Sequence, residues 1–188
     1  MLDLGGSKKS GYHELIKGTR SISTVNIAKD TEPDFSFDLE KPFPLDSATY
    51  DGILCINTLE HIFNYRNVLA ESTRVLKPGG VLVVAVPFLV PFHPSPNDYF
   101  RYSEQALLKM MAEAGFKETS TQAIGCGPFT ASAQMRFNVL HLAPLRMFSA
   151  LYANILDSIL HTTVRAIKKE DRYTASYYPL GYVAIAKK

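Results

Sequence analysis

Two apolar runs separated by a helix-length segment constrain this chain more than any other feature. "YDGILCIN" and "VLVVAVPF" are each apolar enough to lie buried within a sheet. Between them, "LEHIFNYRNVLAESTRVL" places Ile62, Tyr65, Leu69, Thr73 and Leu76 at helical spacing. Lys77-Pro78-Gly79-Gly80 then stops the helix, because proline cannot continue it and glycine tolerates the reversal. Strands alternating with helices predict a largely parallel sheet with helices on both faces.

The alternation extends to either side. Met1 to Leu4 reads as a short strand, Tyr12 to Lys17 as a short helix, "TRSISTVNI" as a second strand ending at Ile27, and "DFSFDL" as a third. Ser103 is placed to cap a helix "EQALLKMMAEA" that ends at Gly115. "FKETSTQAI" is a sixth strand and "YPLGYVAIAKK" the last. At 188 residues the chain suits one domain with a sizeable core. It divides into a core over 1–127, a helical insertion or lid over 128–170, and a final strand within 171–188.

A net charge of +2 gives no reason to expect nucleic acid as a partner. Cys55 and Cys126 have no metal-type spacing, and Cys55 lies in a strand, so reduced thiols in a cytoplasmic protein are expected. The longest apolar run is too short to cross a bilayer and is interrupted by prolines.

Ligands of such sheets sit at the carboxyl ends of the strands. Four stretches fall there. Asp3-Leu4-Gly5-Gly6-Ser7 is a strand end and a glycine turn that lets backbone approach a ligand. Asn26 and Ile27 end strand two, where nucleotide-type folds place an acid toward ribose hydroxyls; asparagine offers one uncharged acceptor instead. Asp38 and Leu39 follow strand three, where a carboxylate could accept from an exocyclic amine. Asn57, Thr58, Leu59, Glu60 and His61 crowd the mouth of strand four. A nicotinamide-dependent oxidoreductase would want a G-x-G-x-x-G turn, and "GGSKKSG" lacks that spacing.

Asp3-Leu4-Gly5-Gly6, Asp38-Leu39-Glu40, "YDGILCINTLEHI", "RVLKPGGVLVVAVP" and "AEAGF" resemble the successive motifs of class I S-adenosylmethionine-dependent methyltransferases, in the type 11 group. The resemblance runs from residue 1 to about 125. It implies an α/β, doubly wound, Rossmann-like seven-stranded sheet of order 3-2-1-4-5-7-6 with the last strand antiparallel. A typical member has a further helix before the first turn, so an N-terminally shortened version is expected. S-adenosylmethionine is the implied cofactor and S-adenosylhomocysteine the product. Asp3, Leu4, Gly5, Gly6 and Ser7 would wrap the methionine moiety, Asn26 and Ile27 the ribose and adenine, and Asp38 with Leu39 the adenine edge. Asn57 would face the amino group, with Thr58 and Leu59 beside the sulfonium. Ser7 and Asn26 depart from the family pattern of glycine and acid, which keeps open the alternative of a catalytically inactive methyltransferase-fold binding protein.

Methyl transfer to a hydroxyl needs an in-line approach and a base. His93 and His61 are the candidates. "HPSPNDYFRYS", after strand five, gathers His93, Asp98, Tyr99 and Arg101 as candidate acceptor contacts, and Asp98 with Arg101 could equally brace the loop. This stretch resembles that of methyltransferases associated with surface-glycan synthesis, which implies a small-molecule, glycan or glycolipid hydroxyl as acceptor. With Asn57 at the strand mouth, Glu60 and His61 are two remaining ligands, a poor hard-cation site, so no metal is expected. In the insertion, apolar residues recur at helical spacing over 145–169, opposite Asn154, Asp157, His161 and Arg165. That stripe suits a sheet cover, a homodimer seam, or a lid in contact with a membrane surface, which would make the protein cytoplasmic and peripheral to the membrane.

Overall fold

The computed structural model describes residues 1–18, 21–136, 139, 142–168 and 174–188. The start of the expected second strand at 19–20, and the junction between insertion and last strand at 169–173, lie outside the described residues.

Six strands form one sheet: β1 (Leu2–Leu4), β2 (Ser23–Val25), β3 (Tyr50–Ile56), β4 (Leu76–Pro87), β5 (Glu118–Ile124) and β6 (Gly181–Lys187). Their order is β2-β1-β3-β4-β6-β5. Pairing is parallel from β2 through β4, with Leu4 opposite Val25 on one side and Cys55 on the other. Strand β6 runs against β4: Gly79 N donates to Lys188 O at one end, and Phe88 N donates to Leu180 O at the other. The reversed last strand is therefore present.

The expected seventh strand is corrected. "DFSFDL" contributes a single parallel bridge between Val25 and Phe35. The cause is Asp34, whose Oδ2 accepts from Thr24 N at 2.9 Å and Thr24 Oγ1 at 3.0 Å. A side chain thus takes a backbone donor that a longer ladder would have used. The six paired strands otherwise follow the implied order.

Two compact units divide the chain. The first holds Met1–Val86, His93–Thr121 and Val183–Lys188. Its core is built from strand residues with no exposure, Leu2, Leu4, Val25 and Ile53, together with Val68 and Val75 of α1 (Tyr65–Val75) and Leu107 of α2 (Glu104–Glu113). Each such side chain contributes about 2 kcal/mol when removed from water. The Ser103 side chain accepts from Ala106 N, the cap expected for α2. Lys77 to Gly80 fall inside β4, where a register shift between Tyr50 and Gly52 absorbs them, rather than in a separate turn.

The second unit holds Pro87–Phe92 and Gln122–Tyr182. Its helices α3 (Pro128–Met135) and α4 (Ala143–Lys168) pack together. Asp157 of α4 is buried and caps α3, accepting from Phe129 N at 3.0 Å and Thr130 N at 2.8 Å. The polar side of α4 is thus its docked side. Leu151, Tyr152, Ile155 and Ile159, expected to cover something, are exposed. No helix among the described residues is long and apolar enough to cross a membrane.

Candidate functional site

Parallel strands end on the same side of the sheet, so the segments leaving β1, β2 and β3 are delivered to one place. They surround a hollow of about 310 Å³ in the first unit, at the small end for a ligand site. Gly5, Asn26, Ile27, Asp38, Leu39, Asn57, Thr58 and His61 line it, and all eight were expected from sequence. Phe37, Glu40, Ile62 and Ser95 to Asn97 complete the wall. Glu40 and Ser95 to Asn97 lie in stretches the sequence marked, but none of these last residues was itself expected in the wall.

The turn after β1 is tight. Gly5 has φ +81°, and a Cβ there would fall 2.2 Å from Thr58 Oγ1. A Cβ on Gly6 would fall 1.9 Å from Asp3 Oδ2. Thr58 is fixed from behind, its hydroxyl donating to Leu4 O at 3.0 Å. Asn57 adopts φ +48°, a left-handed conformation asparagine tolerates, as β3 turns into the wall.

Asp3 and Leu4 do not line the hollow; both are fully buried behind it. Asp3 Oδ2 accepts from Tyr12 OH at 2.7 Å and lies 2.6 Å from His13 Nε2. Burial raises the Asp3 carboxyl above its ordinary range, and the bonds to His13 and Tyr12 offset part of that rise. Burial likewise pushes the Tyr12 hydroxyl up to about 12, so it stays a donor. Tyr12 and His13 were missed because a single turn of 3-10 helix, Gly11–Leu15, carries no periodicity that points inward.

Asn26 does something other than expected. Its Nδ2 donates to Gly5 O at 2.9 Å and Gly6 O at 3.3 Å, and its Oδ1 accepts from Ala28 N at 2.9 Å. The side chain ties β2 to the glycine turn, leaving one lone pair on Oδ1 for a ligand. Gly6 and Ser7 lie outside the wall, and the Ser7 hydroxyl accepts from Lys9 N at 3.2 Å. Leu59 is also outside it, fully buried, with its carbonyl accepting from Tyr102 OH at 3.3 Å.

Beside the hollow, a second group assembles from segments far apart in sequence. Tyr99 N and Phe100 N both donate to Glu60 O, at 2.9 and 3.3 Å, folding the segment after β4 back onto the mouth of β3. Phe63, Tyr65, Tyr99, Phe100 and Tyr102 pack ring against ring to hold the fold-back. Asp98 is clamped by Arg101 at 2.5 and 2.7 Å, which holds its carboxyl well below the usual range. Asp98 Oδ2 also accepts from His93 N at 3.0 Å. Asp98 and Arg101 therefore brace this loop, while Tyr99 stays partly exposed at its edge.

His93 is thereby set against His61, ring centroids 5.3 Å apart, with Glu60 between and beneath them. Glu60 Oε1 lies 3.7 Å from His61 Nε2 and 3.7 Å from His93 Nε2. Burial raises the Glu60 carboxyl above its ordinary range.

Residues 16–84 match the family model described as a methyltransferase domain. The chain is 34% identical over 94 residues to O-methyltransferase cnsE of Penicillium expansum, covering 44% of this chain and 33% of that protein. It is 29% identical over 99 residues to a probable S-adenosylmethionine-dependent methyltransferase of Mycolicibacterium smegmatis, covering 50% of this chain and 38% of that protein. The chain thus spans roughly a third of the length of the curated relatives it matches. Among solved structures, a SAM-dependent methyltransferase from Archaeoglobus fulgidus superposes with a TM-score of 0.62 at 16% identity, covering 100% of this chain and 85% of that one.

Proposed function

We propose that this chain, which belongs to the class I S-adenosylmethionine-dependent methyltransferases, transfers the methyl group of S-adenosylmethionine to a hydroxyl of a small molecule, glycan or glycolipid. The observation that carries the reading is the single hollow into which Gly5, Asp38 and Thr58 all face, from three different strand ends.

The residues fit such a cofactor. Only glycine suits the turn at position 5, so backbone rather than side chain meets the ligand there. Ile27, Phe37 and Leu39 supply apolar wall for an adenine, and Asp38 supplies an acceptor for its amine. Asn26 reaches ribose with its remaining lone pair. Bound there, the cofactor supplies an electrophilic methyl group on a sulfonium. Asn57 and Thr58 would hold the wall beside that group, and the backbone of Gly5 would meet the methionine end, with Gly6 and Ser7 shaping the turn behind it.

The acceptor lies toward Glu60, His61 and His93. Its oxygen would bond to the methyl carbon as the carbon–sulfur bond broke, leaving S-adenosylhomocysteine. The hydroxyl proton leaves through the histidine cluster, where His93 reaches solvent. Support for a hydroxyl acceptor comes from the similarity to an O-methyltransferase and from two imidazoles beside the hollow.

The test is to incubate purified protein with methyl-labelled S-adenosylmethionine and fractionated cell extract, then identify what gains label. Label on an oxygen supports the reading. Label on nitrogen or carbon overturns the acceptor class. Tight S-adenosylhomocysteine binding with no labelled product in any fraction would favour a binding protein that keeps the fold without the reaction.

A further inference from the structure

We infer that Glu60, His61 and His93 form a binding site for one divalent transition-metal ion. One donor atom from each of the three lies within 4.8 Å of the other two. A Zn²⁺, Co²⁺ or Mn²⁺ ion sits about 2.1 Å from imidazole nitrogen or carboxylate oxygen, which puts its ligands roughly 3 to 3.5 Å from each other. The two 3.7 Å separations between Glu60 Oε1 and the imidazole Nε2 atoms are close to that already.

Glu60 is the independent pointer. Its side chain has no exposure, and neither carboxylate oxygen has a hydrogen-bond partner. A buried carboxylate normally collects hydrogen bonds or an opposite charge, since leaving it bare is costly. Asp3, in the same unit, obeys that rule with one oxygen, Oδ2, which meets Tyr12 and His13, while its Oδ1 has no hydrogen-bond partner.

The ring of His61 adds direction. Its Nδ1 lies 2.5 Å from the carbonyl oxygen of Asn97, and a carbonyl can only accept, so Nδ1 carries the hydrogen. A neutral His61 then turns a bare Nε2 lone pair toward Glu60. Two acceptors facing one another at 3.7 Å repel unless a proton or a metal cation joins them. An imidazole N–H on a backbone carbonyl is also the usual outer support of a metal-bound histidine. His93 Nδ1 lies 3.5 Å from both the Asp98 carboxylate and the Arg101 guanidinium, so this pair positions the ring beside Glu60 without fixing its tautomer.

Two imidazoles and one carboxylate suit a borderline ion rather than Mg²⁺ or Ca²⁺, which favour oxygen ligands. Three protein donors leave a position open. His61 lines the hollow, and His93 is 41% exposed, so the open position faces a site an acceptor can reach. The ion's role rests on the methyl-transfer reading: with the ion bound, its activation of a coordinated hydroxyl would replace proton uptake by the imidazoles, the proton passing to water and leaving an alkoxide. Its binding does not rest on that reading.

The experiment strips purified full-length protein with chelator, then titrates Co²⁺ by visible absorption and Zn²⁺ by calorimetry. One equivalent is expected, at micromolar affinity or tighter. Glu60→Gln and His93→Gln should each weaken it by at least about 100-fold. His161→Gln, in the second unit, should leave it unchanged. Far-ultraviolet circular dichroism and S-adenosylhomocysteine binding show whether each variant is folded. Less than a stoichiometric ion at about 1 mM metal, or equal binding by wild type and both folded variants, overturns the site. Metal binding without S-adenosylhomocysteine binding would sink the methyltransferase reading and leave the metal site standing; the reverse result sinks the metal site alone.

Discussion

Asp3 and Glu60 are both fully buried in the first unit, both stand near the carboxyl end of a parallel strand, and they are provided for in opposite ways. Asp3 meets a tyrosine hydroxyl and an imidazole at 2.7 and 2.6 Å. Glu60 meets two imidazoles no closer than 3.7 Å and has no hydrogen bond to either oxygen. Burial lifts both carboxyls; Asp3 resists the lift through two short side-chain bonds, Glu60 only through its own backbone and the more distant imidazoles. The difference separates a carboxylate that serves the fold from one that waits for a cation. Asp3 anchors the 3-10 turn over the glycine loop, so its partners come from the next few residues. Glu60 draws its neighbours from a loop that returns after β4.

The comparison breaks most severely at Gly6. An added methyl would fall 1.9 Å from Asp3 Oδ2 and push the carboxylate off Tyr12 and His13. Gly6→Ala should cost about 3 kcal/mol or more in urea unfolding and abolish S-adenosylhomocysteine binding. A loss under about 0.5 kcal/mol would mean that the Asp3 cluster is not rigid.

Asp3→Asn should cost about 2 kcal/mol, since two bonds to a charged acceptor are weakened. Its pH signature has a definite sign. The folded carboxyl titrates above the ordinary value of 3.8, so the folded state holds this proton to higher pH than the unfolded state does. Its contribution to stability is complete below 3.8 and is lost as pH rises through the folded value. The margin of the wild type over Asp3→Asn should therefore shrink as pH rises across that window, toward the part that the bonds to the charged carboxylate supply. An advantage that grows with pH there would contradict the burial argument.

Asn26→Asp restores the acid usual in the family, and it should nevertheless weaken S-adenosylhomocysteine binding by roughly tenfold, about 1.4 kcal/mol. A carboxylate would face Gly5 O and Gly6 O, which now accept from the asparagine amide. Tighter binding by the variant would show that the ribose contact outweighs the tie.

Glu60→Gln gives the smallest change, and its sign is the sharpest part of the contrast. Replacing a bare buried carboxylate with a neutral amide should raise the metal-free protein's stability by about 1 kcal/mol. A drop comparable with that of Asp3→Asn would place Glu60 in the same structural class as Asp3.

The sequence made the strand mouths legible because parallel pairing leaves little choice. Gly5, Asp38 and Thr58 share a hollow once β1 and β3 are adjacent, an adjacency that the resemblance to the methyltransferases implied. Less legible were features decided by one side chain. Asp34 took the Thr24 amide and reduced a strand to a bridge. Asn26 turned inward to the glycine loop. The approach of His93 to Glu60 depends on Tyr99 N and Phe100 N reaching back to one carbonyl, which no spacing rule encodes. In α4 the helical period was plain, but the docked face was fixed by Asp157 capping α3 and not by the apolar stripe.

The most direct measurement is a calorimetric titration of S-adenosylhomocysteine into the purified chain, with Gly6→Ala alongside. One equivalent should bind at micromolar affinity, S-adenosylmethionine should compete, and the variant should show no heat. No binding to folded wild type at about 1 mM ligand would contradict the claim that these strand ends form an adenosyl-sulfonium site.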